Sequence, residues 1–235
     1  MFIPLADDNS RRTITPAVTW TLIALNILVW LLQLQIGPRF SYGYAMVPAE
    51  ITGGTDIVGT ARISVGDEVV GVPHFPGPVP IYLTLITSMF MHGSWMHIIG
   101  NMLYLFIFGD QIEDLLGHFR FIVFYLVCGL TAGIAHIAVG PDSVVPSLGA
   151  SGAIAGVLGG YLLRFPTNLV HVLFIRIIIE VPAFIVLGGW ILLQLISQVS
   201  LVQGQGGGVA YMAHIGGFVA GLALVNLFAI GSPRD

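Results

Sequence analysis

Charge is missing from long stretches of this 235-residue chain. No Asp, Glu, Lys or Arg occurs from Thr13 to Pro38, Val69 to Gly109, Phe121 to Pro141, Ser143 to Leu163 or Val181 to Pro233. A helix needs about 20 mostly apolar residues to cross a bilayer, and backbone in hydrocarbon must satisfy its own hydrogen bonds, which a helix does. The first, third and fourth stretches fit one helix each. The second also fits one, because its opening third, Gly71 to Pro80, is rich in Pro and Gly and reads as loop. The last is long enough for two, broken at Gly204, Gly206, Gly207 and Gly208. The sequence therefore predicts an all-α membrane protein with six transmembrane helices, at about 17–36, 82–108, 119–139, 151–164, 177–201 and 209–230. It forms a single domain over 1–235, with a long extracytoplasmic first loop.

Composition narrows the class further. Only 9% of residues are charged and 56% are hydrophobic, against about 25% charged in a soluble domain. All eight basic residues are Arg. A soluble globular enzyme, a disordered chain and a nucleic-acid binder are excluded. The lone Cys128 cannot form an internal disulfide and reads as an apolar filler. The first apolar run is longer than a signal-peptide core and no small-x-small cleavage site follows it, so it reads as a retained helix. Placing the N-terminus in the cytoplasm puts Arg11, Arg12, Arg120, Arg164, Arg176 and Arg234 inside, and leaves Arg39 and Arg62 outside. The chain is thus a multi-pass protein of the cell membrane with both termini cytoplasmic and the Asp110–Glu113–Asp114 loop inside. Alternation through Arg62-Ile63-Ser64-Val65 predicts a small hairpin on the bilayer surface. No internal repeat is present, which disfavours an inverted-repeat transporter.

Polar side chains are expensive in hydrocarbon and point to function there. His97 and Asn101, four residues apart, share one face of the second helix. Ser151 begins the fourth helix among small neighbours, Gly149-Ala150-Ser151-Gly152, where free N–H groups and the helix dipole favour developing negative charge. His214 lies near the start of the sixth. Gly152, Gly156 and Gly160 on one helix and Ala213, Gly217 and Gly221 on the other form small-residue stripes that permit close approach. Packing stripe against stripe brings Ser151 and His214 together. A serine within hydrogen-bond reach of a histidine is an activated nucleophile. Acidic residues occur only in loops, helix ends and tails, which argues for a Ser–His dyad rather than a triad. His97, Asn101 and the Ser151 backbone N–H are the candidate donors to a tetrahedral oxyanion.

The pattern His92-x4-His97-x3-Asn101, then Gly149-Ala150-Ser151-Gly152, then Ala213-His214-x-Gly216, on six apolar helices, resembles the rhomboid family of intramembrane serine proteases. The similarity runs from about Thr84 to the end of the sixth helix. It includes Phe108-Gly109-Asp110, Glu113-Asp114-x-x-Gly117 and Trp190-x3-Gln194. The resemblance implies a six-helix rhomboid-like bundle that hydrolyses peptide bonds in or near transmembrane segments of other membrane proteins. It implies Ser151 as nucleophile, His214 as general base, His97 and Asn101 as the oxyanion pair, and Gly149 as a shaper of the same pocket. The fifth helix with Trp190 matches a lateral gate, and the 203–208 loop matches a cap. Two departures stand out. Ala155 replaces an aromatic that, in some members, stacks on the histidine, and the first loop lacks a Trp-Arg pair.

The implied partners are transmembrane protein substrates and the lipid bilayer, with no cofactor and no metal. There is no His-Glu-x-x-His pair and no carboxylate on the His97 face. His74, His118, His136 and His171 read as structural or solvated. Gln194, Ser197 and Asn226 read as helix-packing residues. The competing readings are a catalytically inactive rhomboid-like escort that binds membrane proteins, and a transporter or metal-binding channel.

Overall fold

A computed structural model describes residues 2–65, 68–202 and 210–232. Strand β1 (Phe2–Asp7) precedes helix α1 (Ala17–Ile36). Two helical turns, α2 (Pro38–Gly43) and α3 (Pro48–Gly53), a hairpin of β2 (Gly59–Val65) and β3 (Glu68–His74), and the short α4 (Thr84–Thr87) lead to α5 (Trp95–Leu116). Then follow α6 (His118–Val139), α7 (Ser151–Arg164), strands β4 (Leu169–Phe174) and β5 (Ile177–Pro182), α8 (Ala183–Val202) and α9 (Tyr211–Ala229). By length and composition α1, α6, α8 and α9 can cross a membrane. Leu25, Leu28, Leu31 and Leu34 on α1 and Leu192, Leu193, Ile196 and Val199 on α8 are exposed. Bands of that size are costly in water and are matched by acyl chains.

Helix α7 lies at the centre, buried along nearly its whole length, because its glycines let neighbours approach. A Cβ on Gly152 would stand 2.6 Å from Ala132 Cβ of α6, and one on Gly156 would stand 2.3 Å from Cys128 Cβ. On the α9 side the roles reverse. A Cβ on Gly217 would meet the Gly152 carbonyl oxygen at 2.0 Å, and one on Gly221 would meet that of Gly156 at 1.9 Å. The stripes expected from sequence therefore face each other backbone to backbone, as small-residue membrane interfaces do. Cys128 fills this seam as a buried free thiol. Phe108, Phe121, Phe124, Tyr125, Leu158 and Tyr161 close the core below.

Three expectations are corrected. The second helix does not run through 82–108. Residues 81–90 form short turns, and α5 starts only at Trp95, where the Ser94 hydroxyl accepts from the His97 N–H at 3.1 Å as an N-cap. The helix also continues past Gly109, so Asp110, Glu113 and Asp114 are buried helix residues rather than a loop. They receive the chain entering α1. Glu113 accepts from the Val18 and Thr19 N–H groups at 2.9 and 2.7 Å, capping a helix whose own Pro16 offers no side-chain cap. Asp114 accepts from the Thr13 and Ile14 N–H groups, both at 2.8 Å, and Arg12 pairs with Asp110. Finally, the fifth helix begins at Ala183, since 177–182 is strand β5. With β1 and β4 it forms an antiparallel sheet ordered β1-β4-β5. The hairpin expected near Arg62 is present as β2 and β3.

One buried group in that sheet carries a pH signature. Tyr161 Oη donates to Asp7 Oδ2 at 2.6 Å and accepts from Asn168 Nδ2 at 2.8 Å. Burial pushes the Asp7 carboxyl up to about 7, and the Tyr161 hydrogen bond offsets only part of that rise. The folded chain then keeps a proton that the unfolded chain has released, so folded stability falls as pH rises from about 4 to about 7. Glu50, also pushed up to about 7 by burial, acts in the same direction. Asp7→Asn is expected to flatten the fall in melting temperature of the micelle-solubilised protein across that window. An unchanged slope would mean Asp7 is ionised in the folded chain.

Candidate active site

The site is assembled at the end of the bundle that also holds the first loop. Ser147 exchanges backbone hydrogen bonds with Met46 at 3.0 and 2.7 Å, and the Gly149 N–H donates to Ser88 O at 2.9 Å. These bonds hold the turn that delivers Ser151 to the first position of α7. Gly149 has φ +134°, a conformation open to glycine. Its missing side chain is also required by space. A Cβ there would stand 2.7 Å from both Cε1 and Nε2 of His97 and 3.5 Å from Ser151 Oγ. Ser151, Gly149 and the His97 ring are thus immediate neighbours.

His214 arrives from α9. Its Nε2 lies 2.7 Å from Ser151 Oγ, and its Nδ1 lies 2.8 Å from Gln194 Oε1 of α8. An amide oxygen only accepts, so Nδ1 holds the ring proton and Nε2 offers its lone pair to the serine hydroxyl. Trp190 packs beside the imidazole with ring centroids 5.9 Å apart, and against Phe218 at 6.1 Å. Ala155, fully buried, presents no ring to His214.

His97 and Asn101 share a face of α5. The Gly93 N–H points at His97 Nδ1 across a long 3.4 Å, which favours a proton on the Nε2 that faces Gly149. Asn101, buried, donates from Nδ2 to His92 Nε2 at 2.9 Å, and the His92 and His97 rings meet edge to face at 5.1 Å. Gln33 of α1 fixes this corner. Its Oε1 accepts from the His92 N–H at 2.9 Å and its Nε2 donates to the His92 carbonyl at 3.0 Å. Sequence reasoning gave no role to Gln33 or His92. The available signal was a glutamine inside a mostly apolar span that also carries Asn26 and Gln35. Gln194, expected as a helix-packing residue, does join α8 to α9, and the group it meets there is the His214 ring. The 203–208 segment, expected as a cap, lies outside the described residues.

Residues 81–230 match the family model for the Rhomboid domain. The chain belongs to the rhomboid family. This rhomboid is 28% identical over 160 residues to Rhomboid-like protein 11, chloroplastic, of Arabidopsis thaliana, covering 64% of this chain and 54% of that one. It is 30% identical over 150 residues to Rhomboid protein 1, mitochondrial, of Saccharomyces cerevisiae, covering 60% and 40%. Over 78 residues it is 40% identical to Rhomboid protease GluP of Bacillus subtilis, covering 33% and 15%. The matched region spans about half or less of the length of these relatives.

Proposed function

We propose that this rhomboid is an intramembrane serine endopeptidase that hydrolyses peptide bonds in or near transmembrane segments of other membrane proteins. The observation that carries the reading is the 2.7 Å approach of Ser151 Oγ to His214 Nε2 at the start of a buried helix. In this mechanism His214 Nε2 takes the hydroxyl proton as Oγ bonds to the scissile carbonyl carbon. The oxyanion is met by His97 Nε2–H, by the Asn101 amide hydrogen not engaged with His92, and by the Ser151 backbone N–H. The C–N bond then breaks, and the amine leaves with the proton from His214. Water, deprotonated by the same nitrogen, releases the acyl group from Ser151. Gly149 keeps the pocket open beside Oγ.

The same reading makes the chain one rhomboid-like domain over 1–235 with six spans, α5 and α7 crossing as the inner pair and the first loop extracytoplasmic. Arginine placement supports a cell-membrane protein with both termini in the cytoplasm. A helical substrate hides its amides, so scissile segments should contain Gly or Pro that loosen the helix, and small residues at the cut.

A fluorophosphonate probe tests the chemistry directly. Ser151 in the full chain should be labelled, and His214→Ala should abolish labelling while leaving the protein in the membrane. An escort that binds membrane proteins without cleaving them would bind its clients but leave the probe unreacted, and that result would reject the proposal.

A further inference from the structure

The imidazole that serves Ser151 has two nitrogens, and only one tautomer is a base toward the serine. A proton on Nε2 would turn the ring into a donor and leave the hydroxyl with no acceptor. Here the other nitrogen faces Gln194 Oε1 at 2.8 Å. Among the described residues no carboxylate supplies this contact: the acidic residues of α5 lie in its last turns, at the far end from His97, where they hold the chain entering α1. Nor does α7 supply a ring to hold the imidazole, since Ala155 stands one turn after Ser151. Helix α8 supplies both missing parts. Trp190 and Gln194, four residues apart, lie on one face. The indole packs on the imidazole and the amide accepts its proton-bearing edge.

Resting on the dyad reading above, we propose that Gln194 is the positioning residue that holds His214 in the tautomer able to take the Ser151 proton. It acts as the neutral counterpart of a triad carboxylate. The contact crosses between two helices, and α8 is the least buried of the four apolar spans, 11% against 28–33% for the others. Space is open around Gly188 and Gly189 on the same helix. The base is therefore set in place by the most exposed of these four spans, and the site is competent only while α8 stays against α9.

The test compares Gln194→Met, which keeps length and loses the acceptor, with Gln194→Glu, which keeps an acceptor oxygen. Turnover of a purified transmembrane substrate and the fluorophosphonate labelling rate are measured in the full chain. Gln194→Met is expected to lower both kcat and the labelling rate by roughly 100-fold with KM little changed. This is less than the roughly 10⁴-fold that follows loss of a charged orienting carboxylate. Gln194→Glu should recover most of that loss, with melting temperatures close to wild type in both. Undiminished kcat in Gln194→Met would overturn the proposal. So would equal losses in both variants that track a lower melting temperature, which would make Gln194 a packing residue. A wild-type chain that neither cleaves nor labels would reject the dyad itself. Labelling and cleavage intact in wild type and in Gln194→Met would reject the role of Gln194 alone.

Discussion

Ser151→Ala should accumulate in the membrane like wild type and cleave nothing. The change removes one hydroxyl at the first position of α7, where alanine is a better helix former than serine. The small neighbours Gly149, Ala150 and Gly152 are untouched, so the fold has no reason to change. On the proposed mechanism the chemistry has every reason to, because the atom that would attack is gone. Loss of a serine nucleophile typically costs on the order of a million-fold in kcat, and losses within one catalytic unit do not add. Ser151→Ala and the Ser151→Ala/His214→Ala double variant are therefore expected to be equally dead toward a co-expressed transmembrane substrate, read by gel shift of the product. Cleavage that survives Ser151→Ala at normal protein levels would remove Ser151 from the reaction.

The sequence made this residue visible because its signal is local. A serine at a helix start among small residues, a histidine one position from a small-residue stripe and two stripes of matching spacing are all read without knowing the fold. The same holds for α1, α6 and α7, whose bounds fall within a residue of those expected at 17–36, 119–139 and 151–164. Legibility failed where a residue is explained only by a distant partner. Asp110, Glu113 and Asp114 look like a loop by charge. They are tolerated inside α5 because Arg12, Thr13, Ile14, Val18 and Thr19, about a hundred residues earlier, bond to them. Strand β4 contains His171 and is explained by its pairing with β1 at the far end of the chain. Gln194 is polar in an apolar helix, but only the packing of α8 on α9 tells whether its amide meets another helix backbone or the His214 ring.

Gly221→Ala and Gly217→Ala should be the most damaging substitutions away from the reacting atoms. A methyl at Gly221 would fall 1.9 Å from the Gly156 carbonyl oxygen and 2.6 Å from its carbon, and one at Gly217 would fall 2.0 Å from the Gly152 oxygen. These are backbone atoms of a buried helix, so no rotamer change relieves the clash, and α7 and α9 must move apart. Overpacking in a core typically costs about 1–3 kcal/mol, and a contact with rigid backbone belongs at or above that upper end. Against a total stability of roughly 5–15 kcal/mol this is a large fraction. Separation also acts on the site. Gly217 lies one turn from His214 and opposite the residue after Ser151, so a displaced α9 carries the imidazole away from Oγ. Both variants should therefore show a melting temperature lowered by several degrees, and whatever folded protein remains should react slowly with the fluorophosphonate. Gly188→Ala is the control, since nothing lies within 4 Å of its added methyl, and it should melt at or above wild type because alanine favours a helix. Normal melting and normal labelling in Gly221→Ala would mean the two helices sit farther apart than a backbone-to-backbone seam allows, and the close approach that brings His214 to Ser151 would lose its physical basis.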